Sequence, residues 1–482
     1  MGVVTGSRAG RRVVLGLVSL AAVACQPGSP PRPSAPPIPP PPASGLSVLL
    51  ITIDTLRADH MSAYGYARPT TPRIAALAQE GTLFERAYTY WPKTRGSFVA
   101  MLTGKPPSGS GYGKTHPVLL EFNATLASVL KGAGYATSAI VDNPNVAAPL
   151  GYAKGFDSYR ETWEEKALST ETLRARAITE GGRAFLQAAR PEKPFLLWLH
   201  YVNPHAPYEP PAPFDTMFAP GEAERGPRLP VVLGFHGGVA KQWARPGRDR
   251  LGDYVSLYDG EIASVDQEVG RVVEGLQASA MKDHTLVVIT SDHGESLGEH
   301  AYYFDHGEDV FEPSLRIPLV VVNPGSPRGQ RSAVFASTLD LVPTVLDAVK
   351  VSWPPDLAGT SLLGVVGGKA APRRERLFAQ NDRNLTATFD RKLKIVATPE
   401  GERVRFALYD REKDPGETRD VAKEQGENLR ACRRELELFT ERSDREWART
   451  RPLLEGRPGE RRLTAEACER LKALGYVDPG CE

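Results

Sequence analysis

Two stretches of the chain end in side chains that could hold a divalent metal. In TLVVITSDHGESLGEH an apolar run is followed by Asp292 and His293, and Gly294 then lets the backbone turn away. In SVLLITIDTLRADH a second apolar run is followed by Asp54. Carboxylate oxygen and imidazole nitrogen are both suitable ligands for divalent cations. The pattern therefore predicts a metal site at the ends of two strands.

A third stretch, TYWPKTRGSFVAMLTG, could supply a nucleophile to that site. It places Thr94 before a small-residue turn and a helical run that Gly104 closes. A free threonine hydroxyl is a weak nucleophile near neutral pH, and coordination to a metal would activate it. The start of a helix also offers a positive dipole end to a transferred anion. These residues predict attack on a tetrahedral oxyanion ester. A capping role for Thr94 at the helix is the alternative, and it is compatible with attack.

The elements that must position these groups follow an alternating order. Apolar runs predict strands at residues 48–53, 136–141, 195–200, 285–290 and 319–322. Amphipathic runs predict helices at residues 72–80, 97–102, 125–133, 171–188, 258–279 and 337–349. This order predicts an α/β fold with a large, mostly parallel sheet between helices. Ligands bind beyond the carboxyl ends of such strands, so Asp54, His200 and Asp292 should converge at one crevice.

The rest of the chain divides by composition. Residues 46–351 are the predicted catalytic domain, and within them residues 218–248 are a Gly-, Pro- and Arg-rich excursion typical of a lid or specificity element. Residues 352–482 are a predicted C-terminal subdomain. There ATFDRKLKIVAT and RVRFALYDRE alternate as antiparallel strands do, and charged helical sequence follows.

The first 45 residues predict export. Residues 1–25 have an arginine-rich start, the apolar run VVLGLVSLAAVA and the ending AVAC, which is typical of a lipoprotein signal peptide. Lipidated Cys25 would anchor the protein to a membrane, and Gln26 favours the outer membrane of a cell envelope. Plain cleavage after Ala24 is the alternative. Residues 26–45 are a proline-rich linker that favours an extended spacer.

Charge and cysteine content limit the partners. The net charge is +1 with charged residues well mixed, so no nucleic-acid partner is predicted. Beyond Cys25 the chain has Cys432, Cys468 and Cys481. One disulfide, such as Cys432 with Cys468, is compatible with export but is not required by the sequence.

Several motifs, taken in order, resemble the sulfatase-type members of the alkaline phosphatase superfamily over about residues 46–477. The matching pieces are IDTLRADHMSAYGYARPTTPRIAALAQEGTLFERAY, MLTG, HYVNPHAPYEPP, LYDGEIASVDQEVGRVV, TSDHGESLGEH, FDHGEDVFEPSLRIPLVV, STLDLVPTVLD and LYDREKDPGE. The resemblance implies an alkaline-phosphatase-like sandwich with a small C-terminal subdomain.

The resemblance also implies site residues. It assigns a divalent metal to Asp54, Thr94, Asp292 and His293. It further implies that His205 in NPHAPY and His306 in FDHGE contact the transferred oxyanion or bind a second metal, and each could act as general acid. The family's second carboxylate is replaced by Thr55. Because calcium prefers six to eight oxygens, this loss favours zinc or manganese, with calcium as the alternative.

One departure from the family bears on the reaction. Sulfatases carry a Cys or Ser in a C-x-P-S-R type signature that becomes formylglycine, whereas this chain has Thr94 there, with Gly96, Ser97 and Phe98 following. Threonine cannot be oxidised to that aldehyde, so threonine itself would attack. The expected function is hydrolysis of phosphate or phosphonate esters. The alternatives are a sulfuric ester hydrolase, an envelope phospho-group transferase and an inactive binding protein.

Overall fold

The structure is a computed structural model that describes residues 45–369, 374–383, 385–389, 392–457, 459 and 461–481. The predicted signal peptide with Cys25 and all but the last residue of the proline-rich linker lie outside the described residues. Within these ranges, every helix is too short or too polar to cross a membrane.

The described strands are β1 (Ser47–Ile53), β2 (Thr82–Tyr88), β3 (Ala136–Val141), β4 (Ser158–Glu161), β5 (Phe195–Tyr201), β6 (Val231–Val232), β7 (Val239–Ala240), β8 (Thr285–Ser291), β9 (Ser296–Leu297), β10 (Tyr303–Asp305), β11 (Arg316–Ile317), β12 (Leu319–Val322), β13 (Gln330–Ser337), β14 (Arg376–Gln380), β15 (Leu385–Phe389), β16 (Leu393–Glu400) and β17 (Arg403–Asp410). The described α-helices are α1 (Pro72–Ala78), α2 (Thr94–Thr103), α3 (Pro107–Ser110), α4 (Leu126–Gly132), α5 (Glu171–Ala188), α6 (Phe214–Met217), α7 (Leu251–Gln277), α8 (Glu312–Leu315), α9 (Leu341–Ala348), α10 (Leu363–Val366), α11 (Gly426–Thr450) and α12 (Ala465–Ala473).

The large sheet confirms the predicted α/β fold. Its strand order is β11-β2-β12-β8-β1-β5-β3-β4, with β13 beside β2. The strands β8, β1, β5, β3 and β4 run parallel to one another, while β12 runs antiparallel to both β8 and β2. The sheet is therefore mixed, with its parallel part at the centre, where the predicted site residues lie.

The central strands are buried on both faces, which explains their unbroken apolar runs. Along β1, Val48 and Leu50 belong to one apolar cluster, which also receives α2, α4 and α9. Leu49, Ile51 and Ile53 belong to the other, which receives α1, α5 and α7. Because successive side chains of a strand point to opposite faces, one strand fills two cores. Polar residues can appear only where the strand ends.

Four strands of the large sheet, β2, β4, β11 and β13, were missed by the sequence prediction, and several helices have different ends. β2, β4 and β13 are more polar than the central strands, and the chain alternates weakly there. α7 begins seven residues before the predicted start at residue 258. The predicted helix from residue 337 begins later, because Ser337 ends β13 and residues 338–340 form a 3-10 turn.

The C-terminal region contains a separate antiparallel sheet with the order β14-β15-β16-β17. The predicted hairpin is confirmed, since β16 and β17 pair from Leu393 with Asp410 to Glu400 with Arg403. The suggested Cys432–Cys468 disulfide is wrong. Cys468 on α12 bonds to Cys481, and Cys432 on α11 is a free, buried thiol within an apolar cluster on the small sheet.

Candidate active site

Asp54, Asp292 and His293 meet at the end of two paired strands. The register of β1 and β8 aligns Ile53 with Ser291, so the next residue of each strand is an aspartate at the same edge. One ligand atom from each of Asp54, Asp292 and His293 lies within 4.8 Å of the others. His293 Nε2 is 3.4 Å from Asp292 Oδ2 and 3.7 Å from Asp54 Oδ1.

In each aspartate one carboxylate oxygen accepts hydrogen bonds and the other accepts none from the described residues. Asn143 Nδ2 donates to Asp54 Oδ2 at 2.5 Å. The backbone N–H groups of Thr55 and His293 donate to Asp292 Oδ1 at 3.3 and 2.9 Å. Asp54 Oδ1 and Asp292 Oδ2 have no hydrogen-bond partner within the described part of the chain. Buried carboxylate oxygens without partners that face one point fit a bound cation.

The tautomer of His293 is set by the turn that follows it. His293 Nδ1 donates to Gly294 O at 2.9 Å, so Nε2 carries a lone pair toward the aspartates. A Cβ at Gly294 would lie 1.9 Å from Pro313 O, and only glycine fits there. The predicted role of Gly294 as a turn residue therefore has a steric cause. This turn presents the imidazole as a ligand.

The three side chains are fully buried, and burial opposes their charged forms. Burial raises the pKa of Asp292 to about 7. Burial, followed by the charge of Asp292, raises the pKa of Asp54 well above its usual value. Burial lowers the pKa of His293 to about 3. Two adjacent buried carboxylates are unfavourable unless a proton or a cation compensates them, so the site fits a divalent metal.

Thr94 lies at the same point, in the first turn of α2. Its Oγ1 is 3.2 Å from His293 Nε2 and is fully buried. Lys93 occupies the N-cap position, and no side-chain capping bond is present there. The capping alternative for Thr94 is therefore wrong, because its hydroxyl faces the metal-ligand candidates. Thr94 is the first residue of a helix whose initial N–H groups lack intrahelical acceptors and favour an anion.

The contacts of the residues after Thr94 explain why Gly96, Ser97 and Phe98 occur in this turn. Ser97 Oγ donates to Asp292 O at 2.7 Å and ties α2 to the metal-ligand turn. A Cβ at Gly96 would lie 2.4 Å from the Trp91 ring, so glycine is needed there. Phe98 is buried against two aromatic rings of β5. The turn is therefore built by packing on aromatic rings.

Thr55 adopts a strained backbone next to Asp54. Its φ is 53°, in the left-handed region that is unfavourable for a β-branched residue by roughly 1–3 kcal/mol. Tyr258 Oη donates to Thr55 O at 2.7 Å and holds this conformation. In this backbone conformation the Thr55 N–H points at Asp292 Oδ1. The Thr55 hydroxyl is buried and has no hydrogen-bond partner among the described residues.

His205 and His306 converge on a third residue, Tyr476. The Tyr476 hydroxyl is 3.0 Å from His205 Nε2 and 2.8 Å from His306 Nε2. The His306 ring also lies against His293, with ring centroids 4.1 Å apart. Burial, and then the charge of Asp54, raise the pKa of Tyr476 well above its usual value, while a hydrogen bond with Thr94 lowers it. The two predicted histidines therefore lie beside the metal-ligand candidates.

When His205, Tyr476, His306 and Glu295 are all neutral, one arrangement of their protons satisfies every hydrogen bond between them. His205 Nδ1 donates to Ala206 O, so His205 Nε2 accepts from the Tyr476 hydroxyl. That hydroxyl has one proton, so His306 Nε2 donates to it. His306 Nδ1 then accepts from Glu295, 3.1 Å away. Burial raises the pKa of Glu295 well above its usual value, which keeps the required proton on it. In this arrangement His306 presents an N–H to the site.

Glu261 holds the loop that carries His205, and its raised pKa predicts that the stability of the protein depends on pH. Its carboxyl accepts from the Glu209 N–H at 2.8 Å and from Asn203 Nδ2 at 2.6 Å. Burial, and then the charge of Glu171, raise the pKa of Glu261 to about 8. A raised folded-state pKa stabilises the protein fully below the unfolded value near 4.5, and this contribution is lost as the pH rises through 8.

We therefore expect Glu261→Gln to be more stable than wild type at pH 9.5, by on the order of 1 kcal/mol, with a smaller difference at pH 5. Asn203 can rotate to accept from the new amide, because its Oδ1 has no partner within the described residues. Urea denaturation at both pH values measures the difference. Equal stabilities at pH 9.5 would contradict a buried carboxylate that resists ionisation.

Other histidines have different surroundings. His200 Nδ1 is 2.9 Å from Thr52 Oγ1, and its Nε2 is 3.8 Å from Asp54 Oδ2, so His200 supports the site from β5. His300 packs on Phe311, with ring centroids 3.7 Å apart. Asp54, His200 and Asp292 converge at one point as expected, where all three side chains are fully buried.

The sequence prediction missed three residues that the fold brings to the site. Asn143 follows β3 and holds Asp54, Glu295 follows the metal-ligand turn and holds His306, and Tyr476 reaches both histidines from the C-terminus. Asn143 had a usable signal, because it stands in a polar pair at a strand end. Tyr476 had a weaker one, because Gly475 after an amphipathic helix predicts a helix C-terminus.

Comparisons with known proteins agree with this geometry. The sulfatase family profile matches residues 47–351, and the profile of the N-sulphoglucosamine sulphohydrolase C-terminal region matches residues 298–440. An arylsulfatase from Clostridium perfringens is 25% identical over 443 residues, which cover 77% of this chain and 89% of that protein.

Two further relatives carry other names. The multifunctional alkaline phosphatase superfamily protein PehA of Trinickia caryophylli is 31% identical over 227 residues, covering 42% of this chain and 44% of that protein. The crystal structure of the phosphonate monoester hydrolase of Agrobacterium radiobacter has the same fold, with a TM-score of 0.68 at 21% identity, covering 83% of this chain and 96% of that one. With its sulfatase-type domain and a cluster of Asp54, Asp292 and His293 that could hold a metal, the chain belongs to the sulfatase family of the alkaline phosphatase superfamily and is a hydrolase of sulfuric or phosphoric ester bonds.

Proposed function

We propose that this protein hydrolyses phosphate or phosphonate esters with Thr94 as the nucleophile. The observation that carries the proposal is the 3.2 Å approach of Thr94 Oγ1 to His293 Nε2, the imidazole nitrogen that also lies 3.4 Å from Asp292 Oδ2 and 3.7 Å from Asp54 Oδ1. Zinc or manganese suits this small ligand set better than calcium does. A divalent cation held by these residues would stabilise negative charge that develops on oxygen.

The protein's own residues supply the remaining chemistry. Thr94 Oγ bonds to the phosphorus as the bond to the leaving oxygen breaks, and the hydroxyl proton of Thr94 passes to solvent. His306, which presents an N–H, donates a proton to the leaving alcohol. Water then gives a proton to His306 as its oxygen attacks the phosphorus and breaks the bond to Thr94, and Thr94 takes back a proton from solvent. The first N–H groups of α2 face the transferred group throughout.

Sulfuric ester hydrolysis is the second candidate, because the relatives include an arylsulfatase. The nucleophile argues against it. A hydrated aldehyde has a second hydroxyl on the carbon that carries sulfate, and it can expel sulfate by breaking its own C–O bond. Threonine has one hydroxyl, so release must break the bond to the transferred atom. A phosphoryl or phosphonyl group suits that second displacement.

The test is turnover of four p-nitrophenyl substrates by the metal-loaded full chain: a phosphate monoester, a phosphate diester, a phosphonate monoester and a sulfate. We expect one of the three phosphorus esters to have a kcat/KM at least about 100-fold above that of the sulfate, because Thr94 must be released by attack at the transferred atom. A sulfate preference of that size would reverse the assignment.

Export and anchoring extend the proposal to a cell-envelope enzyme. The lipoprotein-like ending at Cys25 and the proline-rich spacer support it. Incorporation of a radiolabelled fatty acid by wild type and not by Cys25→Ser tests the anchor. Labelling of neither form would contradict it.

A further inference from the structure

The C-terminal end of the chain reaches the active site, and Tyr476 is the residue that touches it. The Tyr476 hydroxyl lies 3.0 Å from His205 Nε2 and 2.8 Å from His306 Nε2. Tyr476 is therefore within hydrogen-bonding distance of both histidines. Tyr476, His205 and His306 come from three separate parts of the sequence.

Local structure holds Tyr476 in this position. The Tyr476 N–H donates to Leu471 O and the Gly475 N–H donates to Lys472 O, which is the Schellman ending of α12. Gly475 has a φ of 87°, and a Cβ there would come within 3.0 Å of the Trp243 ring. Trp243 belongs to the excursion at residues 218–248. The helix ending and the excursion together direct the phenol inward.

Covalent and ionic links fix the segment on both sides of Tyr476. The Cys468–Cys481 disulfide closes the loop that contains it. Asp478 pairs with Arg95, the neighbour of Thr94, and both side chains are largely buried. Arg470 pairs with Glu171 at 2.6 Å. The segment is therefore anchored to the helix that carries the nucleophile, and its hydroxyl has a built position.

We infer that Tyr476 is a substrate-contacting residue, whose hydroxyl joins the His306 N–H in holding an oxygen of the transferred tetrahedral group. Its position supports this role. His306 Nε2 lies 2.8 Å from the Tyr476 hydroxyl, so an oxyanion that accepts from the His306 N–H also comes within reach of the phenol. This inference rests on the proposed function for its substrate class. Orthophosphate, the product of phosphate monoester hydrolysis, can test it without turnover.

The experiment compares wild type, Tyr476→Phe and Tyr135→Phe, each as the metal-loaded full chain. Tyr476→Phe keeps the ring and removes the hydroxyl. Tyr135→Phe is the matched control, because its hydroxyl donates to Leu46 O at 3.0 Å, away from the site. We expect Tyr476→Phe to weaken orthophosphate binding in calorimetry by roughly 10-fold and to lower kcat/KM by roughly 10- to 100-fold. Thermal stability and metal content should match those of the control.

A double-substitution cycle separates contact with substrate from support of the fold. If Tyr476 and His306 hold the same oxygen, the losses in kcat/KM from Tyr476→Phe and His306→Ala will not multiply in the double variant. Losses in kcat/KM that multiply in the double variant would overturn the inference. Unchanged phosphate affinity and kcat/KM in Tyr476→Phe would also overturn it, as would faster turnover, which would mean that the phenol merely fills the pocket.

The two proposals can fail separately. If wild type hydrolyses no ester but binds orthophosphate more tightly than Tyr476→Phe does, the proposed function fails and the contact stands. If wild type hydrolyses esters and Tyr476→Phe equals it in both measurements, the contact fails and the proposed function stands. If wild type neither hydrolyses esters nor binds orthophosphate, both fail.

Discussion

Thr94→Val is expected to lower kcat/KM for the best phosphorus ester by at least about 10³-fold while the protein stays folded and keeps its metal. Valine has nearly the shape of threonine and lacks the hydroxyl, so the substitution removes the proposed nucleophile without leaving a cavity. Three other side chains, Asp54, Asp292 and His293, still surround the metal position. Steady-state kinetics with metal analysis measures both expectations.

Two companion variants sharpen this test. Thr94→Ser keeps a hydroxyl and is expected to retain much more activity than Thr94→Val does. Thr103→Val removes a hydroxyl from the other end of the same helix, where Thr103 Oγ1 donates to Val99 O, and should keep wild-type kinetics. A phosphoryl-sized mass increase on the peptide that contains Thr94, trapped by acid quench, would identify the intermediate. Turnover by Thr94→Val within a few-fold of wild type would exclude attack by Thr94.

The second large effect concerns Asp292, where function and stability oppose each other. Asp292→Asn should abolish metal binding and turnover, because the amide replaces Oδ2, the oxygen near His293 that has no partner among the described residues, with an N–H donor. In the metal-free protein the same variant should be more stable than wild type at pH 8, by roughly 1–3 kcal/mol. The new Nδ2 can donate to Asp54 Oδ1, which lacks a partner in the described structure, and one buried charge disappears.

The pH dependence of this gain follows from the raised pKa of Asp292. Its folded-state value of about 7 exceeds the unfolded value of 3.8, so the ionised carboxylate lowers stability increasingly as the pH rises from 4 to above 7. We therefore expect the Asn variant to gain less at pH 5 than at pH 8. Thermal denaturation in chelator at both pH values, followed by addition of zinc or manganese, measures the gain and the loss of metal-dependent stabilisation.

Asp266→Asn provides the matched control for a buried aspartate outside the site. Asp266 accepts the N–H groups of Arg73 and Ile74, one on each oxygen, at 2.9 Å. Burial raises the pKa of Asp266 to about 6, but an amide there opposes one N–H with another, so this variant should gain less stability than Asp292→Asn does and should keep its metal. If Asp292→Asn loses stability in chelator and retains metal, the account of the metal site is incorrect.

Local sequence determined the central sheet and most of the metal site. The strands that carry Asp54 and Asp292 are buried on both faces, and such strands appear as apolar runs that end abruptly in polar residues. Parallel neighbours bring their carboxyl ends to one edge of the sheet, so the sequence predicts that these two residues meet. Thr94 was found in the same way, because a glycine-closed helix and a small-residue turn mark a helix start.

The tertiary structure alone decided which distant groups complete the site. Asn143, Glu295 and Tyr476 reach it through side-chain packing, and no periodicity in the sequence encodes which oxygen a given amide or phenol will meet. The disulfide partner of Cys468 depended in the same way on how the chain returns after α12. Local patterns specify elements because backbone hydrogen bonding and burial repeat along the chain, whereas contacts between remote side chains are set by how those elements pack.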